Sequence, residues 1–400
     1  MVYNFNLGIG WASSGVEYAQ AYRANLFRKA GIPARFIFTD MFPRENIQHM
    51  TENIGFLDSE IMWLYTFFTD TKISPVTYTL GEFEKTFEKK NYEFSRDGKI
   101  CKYIFPGNGN FYTVYMVDES IDRTTGVGQA IMQNAGPARI GIIIHADHFS
   151  ESNCNDDYIL WNNYYEYAFS QNKHVDFYVT ATDAQNQLLK EQFEKYLHVS
   201  PRIVTIPVGS LDELKYPAQP RRPYSLITAS RLAGEKHVNW VVAAAAQAHE
   251  QLPQLTLDIY GKGTEEENLK DQIKRLGCTD YIHLMGQQNL TEVYQDYEAY
   301  IAGSTSEGFG LTLLEAVGGG LPIIGFDVRY GNQNFIDEGQ NGYKIALDEH
   351  MDDKSKIALL AEKIVKLFTQ ADMEAFHEHS YEKAKGYLTE EVVDKWKNLI

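Results

Sequence analysis

From about residue 222 onward, short apolar runs alternate with amphipathic stretches, and the spacing predicts strands alternating with helices. Strands are predicted over 224–229, 255–260 and 281–285, and helices over 237–251, 264–276 and 290–297. Punctuation agrees with this. The second strand ends at Gly261-Lys262-Gly263, the helix over 264–276 stops at Gly277, and the third strand ends at Gly286. A further apolar run, 300–302, leads to the loop Glu307-Gly308-Phe309-Gly310. A short helix then begins near Leu311 and closes at Gly318 to Gly320, before another apolar run over 321–326. Such alternation predicts a doubly wound α/β domain with a parallel sheet, whose ligand crevice lies at the carboxyl ends of the strands. Gly261, Gly286 and Glu307 all fall on that rim.

The first half repeats the theme. A strand over 2–6 leads through a glycine- and serine-rich loop, 8–15, to a helix over 16–30 closed by Gly31, and then to a strand over 34–39. Runs over 139–144, 175–180 and 203–206 extend the pattern. The segment 211–223 carries Pro217, Pro220 and Pro223 with little apolar content and is the expected linker. The expected organisation is an N-terminal Rossmann-like domain from 1–74 and 123–212, and a C-terminal nucleotide-sugar domain over 222–380, facing each other across a cleft. A small β insertion, 75–122, contains runs over 100–105 and 111–117 joined by 106–110, which predicts a hairpin. A terminal helix, 381–400, is expected to pack back on the N-terminal domain.

Composition narrows the function. With 44% apolar and 23% charged residues the chain is globular, and its formal charge of -17 argues against a broad nucleic-acid surface. Cys101, Cys154 and Cys278 show no metal-type spacing and are too few for a disulfide framework, so a cytoplasmic setting is expected. No uncharged apolar run approaches the roughly 20 residues that span a bilayer.

The chemistry concentrates on the rim. Glu307 and Glu315 bracket a strand-loop-helix corner; the helix start favours a phosphate, Glu307 sits where a sugar beyond it would lie, and Glu315 reaches toward the nucleoside. After the strand over 224–229 come Arg231 and Lys236, a bidentate fork and a point charge suited to a diphosphate. Two solvated cations are the plainer alternative. The loop from Leu7 to Glu17 is a second phosphate candidate: Ser14 and Glu17 form a capping box, and Gly15 lets the backbone approach a ligand. His145-Ala146-Asp147-His148 ends the run over 139–144. Metal ligation is disfavoured there because no other metal-spaced cluster exists, and His145 is either a sugar contact or a buried histidine.

Taken together, Arg231-x4-Lys236, Gly261-x-Gly263 and Glu307-x7-Glu315 resemble the retaining GT-B glycosyltransferases. The stretches 6–23, 158–165 and 330–336 resemble, more narrowly, the accessory-secretion-system enzymes that begin O-glycosylation of serine-rich-repeat adhesins in Gram-positive bacteria. The resemblance implies transfer of N-acetylglucosamine, or glucose, from a UDP-sugar to Ser or Thr hydroxyls, with no metal required. It implies that Arg231 and Lys236 grip the diphosphate, Glu315 takes the ribose, and Glu307 and His145 face the sugar. Gly15, Ser14, Gly261, Gly286 and the backbone of Phe309, Gly310, Leu311, Thr312 and Leu313 complete the donor site. The acceptor would be a serine-rich-repeat protein, with a homologous non-catalytic subunit or a second copy as partner and peripheral contact with the inner membrane face. A wall-polymer α-glucosyltransferase and a non-catalytic adhesin-binding subunit are the alternatives. The family's long β-meander insertion, which engages acceptor and partner, is shortened here.

Overall fold

The structure is a computed structural model that describes residues 1–6, 15–38, 54–63, 92–96, 99–103, 138–348 and 350–400. It divides into two compact units, one of residues 1–142 and 161–177, the other of residues 143–160 and 178–400.

In the first unit, β1 (Val2–Asn6), α1 (Gly15–Lys29), β2 (Ala34–Phe38) and β3 (Ile61–Trp63) form a parallel β1-β2-β3 sheet, with α1 linking its first two strands. Ala21 and Ala24 of α1 pack with Phe36, Phe38 and Phe56 in one apolar cluster. The insertion contains an antiparallel pair, β4 (Tyr92–Arg96) with β5 (Lys99–Tyr103), in which Arg96 faces Lys99. The expected hairpin between the runs over 100–105 and 111–117 falls largely outside the described residues. Of that first run, the part up to Tyr103 is strand β5, which pairs with β4 before it; residues 104–117 lie outside the described residues.

The chain continues through β6 (Gly141–Ile144), β7 (Phe149–Ser150), β8 (Leu160–Trp161), α2 (Asn163–Ser170), β9 (Phe177–Thr180), α3 (Asp183–Gln192) and β10 (Ile203–Thr205). Strands β10, β9 and β6 form a three-stranded sheet in that order. Thr182 caps α3, its side chain accepting the Gln185 amide at 3.2 Å.

The second unit is built on β11 (Ser225–Ala229), α4 (Val238–His249), β12 (Thr256–Tyr260), α5 (Glu266–Arg275), β13 (Ile282–Gly286) and β14 (Ala299–Ile301). After them come α6 (Leu311–Gly318), β15 (Ile323–Phe326), α7 (Gly331–Phe335), β16 (Gly342–Ile345), α8 (Asp353–Gln370), α9 (Met373–Lys385) and α10 (Thr389–Leu399). The sheet order is β13-β12-β11-β14-β15-β16, every pairing parallel. Both faces are covered, so the strands read as continuous apolar runs. Leu226 joins a core with Val241, Leu257, Leu360 and Ile364, while its neighbour Ile227 joins one with Tyr300, Leu313, Val317 and Phe335. Numbered from β11, the strand order is 3-2-1-4-5-6, which places the topological switch point between β11 and β14.

Two expectations change here. The segment 211–223 lies inside the second unit and is a tied-down strap rather than a free linker. Arg221 donates to the carbonyls of Gln295, Tyr297 and Gly319 at 2.8 to 2.9 Å, and the Leu211 amide donates to Tyr387 O at 2.9 Å. Thr389 at the start of α10 donates its amide to Leu211 O, anchoring the terminal helix to the same strap. The expected helix over 290–297 is only a single 3-10 turn, Tyr294–Asp296. Tyr297 must reach Asp258 with its hydroxyl and the chain must enter β14 two residues later, so tertiary anchors override the helical pattern.

Candidate functional site

The rim at the switch point is assembled by close backbone approaches. A Cβ on Gly261 would lie 1.8 Å from the Ser230 carbonyl oxygen, one on Gly263 would lie 2.1 Å from that of Leu232, and Gly261 has φ +133°. Only glycine permits this contact. The Gly261 amide donates to Gly286 O at 2.9 Å, and the Leu232 amide to Lys262 O at 2.9 Å, so the loops after β11, β12 and β13 interlock.

On this frame Lys236 Nζ donates to Glu307 Oε2 at 2.7 Å, each side chain about one-fifth exposed. The residues come from the loops after β11 and β14, the two strands flanking the switch point. Arg231 lies on the same loop, half exposed, with Nη2 2.5 Å from Glu235 Oε1. The two-cation motif is therefore one partly covered pair directed at Glu307 and one more open guanidinium.

Gly310, at φ +85°, precedes α6, and no side chain caps that helix start. Its amides and the dipole thus offer positive charge beside Glu307 and Lys236. The Phe309 ring is buried edge-on against Phe335 at 5.2 Å, leaving only its backbone for a ligand. Leu313 is core, and Thr312 accepts the Tyr300 hydroxyl at 3.1 Å. Glu315, one turn into α6, accepts the Tyr294 hydroxyl at 3.0 Å. The far end of α6 is equally fixed. Cβ atoms on Gly318, Gly319 and Gly320 would meet Leu211, Tyr294 and Tyr381 at 2.7, 2.8 and 2.3 Å, and Arg221, His377 and Ser380 donate to the carbonyls that follow.

Residues 143–160 belong to the second unit, and the expected site residue His145 comes with them. Its carbonyl oxygen lies 2.6 Å from where a Cβ of Gly308 would stand, so the loop after β6 abuts the Glu307 loop. His148, not His145, is the fully buried histidine. Its Nε2 is 2.6 Å from Gln192 Oε1 and its Nδ1 3.3 Å from the Tyr330 hydroxyl, and burial pushes its pKa down to about 4. Gly15 opens α1 in the first unit, and Ser14 lies outside the described residues. Among the described residues no group of three metal-type side chains converges. The sequence reading missed Tyr294, Tyr300, His148 and Tyr330 as supports; a tyrosine inside an apolar run gives no period of its own that marks a hydroxyl partner.

The family model for glycosyl transferases group 1 matches residues 212–378, which span the whole 3-2-1-4-5-6 sheet. The UDP-N-acetylglucosamine–peptide N-acetylglucosaminyltransferase GtfA subunit of Streptococcus gordonii is 43% identical, covering 100% of this chain and 98% of its own length. The crystal structure of pneumococcal O-GlcNAc transferase GtfA in complex with UDP and GlcNAc superposes with a TM-score of 0.84 at 39% identity, covering 100% of this chain and 98% of that one. A crystal structure of a GtfA/B complex matches with a TM-score of 0.84 at 42% identity and the same coverage. Fold and site thus define a UDP-sugar-dependent glycosyltransferase of GT-B architecture. The S. gordonii alignment runs over 495 positions against 400 residues here, so at least 95 positions of that relative (495 less 400) have no counterpart, and its 98% coverage makes them internal. The chain belongs to the GtfA-subunit family of peptide N-acetylglucosaminyltransferases within the group 1 glycosyl transferases.

Proposed function

We propose that this chain transfers N-acetylglucosamine from UDP-N-acetylglucosamine to Ser or Thr hydroxyls of a serine-rich-repeat protein, with retention at the anomeric carbon. The observation that carries the reading is the Lys236–Glu307 pair at the switch point, beside an uncapped helix start. The relatives' names support a UDP-N-acetylglucosamine donor and a peptide acceptor; the serine-rich-repeat protein rests on the resemblance of the stretches 6–23, 158–165 and 330–336. Identity of 43% over the whole chain to a peptide transferase favours this acceptor over a wall polymer.

In this reading Arg231 and Lys236 hold the diphosphate with the amides of Gly310 to Leu313, and Glu315 binds the ribose. Lys236 exchanges part of its contact with Glu307 for phosphate oxygen, freeing the carboxylate for sugar hydroxyls. Gly261 and Gly286 line the nucleoside side, and His145 faces the sugar from the loop after β6. The acceptor oxygen bonds to the anomeric carbon as the carbon–phosphate oxygen bond breaks. UDP departs, and the acceptor proton passes to its β-phosphate. Fixed cations and amides stabilise the charge that develops on UDP, the role a metal would otherwise fill. Activity is therefore expected to survive chelation by EDTA.

A homologous non-catalytic subunit is the proposed partner, supported by the GtfA/B complex of the family. The proposed setting is the cytoplasm, peripheral to the inner membrane face; free Cys154 and buried free Cys278 fit a reducing compartment. Calorimetry with UDP-N-acetylglucosamine and UDP-glucose tests the donor assignment. Tighter binding of the N-acetylated donor supports it, and preference for UDP-glucose overturns it.

A further inference from the structure

The Glu307 backbone is bound on both sides to the segment after β15. Its amide donates to Arg329 O at 3.2 Å, and its carbonyl accepts the amides of Tyr330 at 2.6 Å and Gly331 at 2.7 Å. A Cβ on Gly331 would lie 2.4 Å from the Phe309 carbonyl oxygen, so the two segments cannot slide past each other. Tyr330 itself is 1% exposed. Its ring stacks at 13° over His148, and its hydroxyl meets His148 Nδ1 at 3.3 Å beside the Asp147 carboxylate. Those two residues sit on the loop that carries His145 and abuts Gly308. Arg329 closes the same junction from outside, donating to Glu151 at 3.0 Å and lying over the Phe149 ring.

Burial first, then the Asp147 carboxylate, holds the Tyr330 phenol well above its ordinary range, so it stays a donor. His148, with its pKa near 4, is neutral at neutral pH and keeps one donor and one acceptor nitrogen. The ring of Tyr330 would pack equally well without its oxygen. The hydroxyl is what ties the loops together.

We propose that Tyr330 is a positioning residue whose hydroxyl, held by His148, fixes the Glu307 backbone against the loop bearing His145, and so sets the spacing of the two groups around the transferred sugar. This rests on the reading of Glu307 and His145 as sugar-facing.

The test is Tyr330→Phe, measured by UDP release from UDP-N-acetylglucosamine, by UDP calorimetry and by Tm. Because a displacement of about 1 Å costs up to about a hundredfold in rate, kcat is expected to fall about tenfold to a hundredfold. UDP affinity stays within about twofold of wild type, since the diphosphate contacts are untouched. A kcat at the wild-type level overturns the inference, as does a kcat loss matched by an equal loss of UDP affinity. Gln192→Met, which removes the partner of His148 Nε2 and leaves Tyr330 intact, is expected to give the same split at smaller size. Should Tyr330→Phe not fold, that variant decides alone. Wild-type protein that binds no UDP sinks the donor-site reading and this inference with it. Wild-type binding with an unaffected Tyr330→Phe sinks this inference only.

Discussion

Tyr294 donates its hydroxyl to Glu315 Oε2 at 3.0 Å and thereby fixes the orientation of the carboxylate that α6 carries. Tyr294 is buried, while Glu315 is only partly so. Tyr294→Phe removes the donor and keeps the ring. A hydrogen bond to a charged group contributes about 1.5 to 3 kcal/mol, and Glu315 retains solvent access that offsets part of it. The expected result is a several-fold rise in KM for the UDP-sugar with kcat little changed, read by steady-state kinetics.

Arg231 is the more open of the two cations on the β11 loop, paired only with the equally exposed Glu235. Such a surface pair contributes little to stability. Arg231→Ala is therefore expected to leave Tm unchanged while weakening UDP binding by about 1.5 to 3 kcal/mol, the scale of a charge-assisted contact. Calorimetry with UDP reads this directly, and unaltered affinity contradicts the assignment.

Glu307 presents one oxygen to Lys236 at 2.7 Å and is tied through its backbone to Arg329, Tyr330 and Gly331. Glu307→Gln keeps the shape and the backbone bonds but loses the charge. UDP affinity is expected to persist, because the proposed phosphate contacts lie on Lys236, Arg231 and the helix start. Transfer is expected to fall by about a hundredfold to a thousandfold, the range for losing one electrostatic stabiliser. Full activity in this variant contradicts the role given to Glu307.

Asp258 lies in the middle of β12, almost fully buried, and accepts from Tyr297 at 2.5 Å, Arg222 at 2.8 Å and His283 Nδ1 at 3.0 Å. Burial alone would raise its pKa, but the three hydrogen bonds together outweigh burial and hold it below the ordinary 3.8. A depressed folded-state value means the stabilisation is complete above the unfolded value of about 4 and is lost as pH falls through the lower, folded one. Asp258→Asn is expected to lower Tm at pH 7 and to flatten the acid limb of the stability profile below pH about 4, both measurable by denaturation at stepped pH.

Much of the second unit was legible in the sequence because buried parallel strands are short apolar runs ending at glycine. The runs over 224–229, 255–260 and 281–285 became β11, β12 and β13 with shifts of one residue at most. The pattern placed Lys236 and Glu307 among the site residues, but their direct contact came only from the structure. What stayed illegible depended on side-chain oxygen finding distant partners. The proline-rich segment looked like a linker because Arg221 spends its fork on backbone carbonyls that no local pattern announces. Tyr330 looked like part of a family signature, and its link to His148, 182 residues away, is purely tertiary.

The central claim is transfer of a sugar from UDP-N-acetylglucosamine to a peptide hydroxyl. The most direct measurement is mass spectrometry of a serine-rich peptide after incubation with the protein and UDP-N-acetylglucosamine, with a polyol phosphate chain as competing acceptor. The account predicts peptide mass increments of whole N-acetylhexosamine residues on Ser or Thr, matched by released UDP. An unmodified peptide with sugar on the polyol phosphate, or no UDP release with either acceptor, contradicts it.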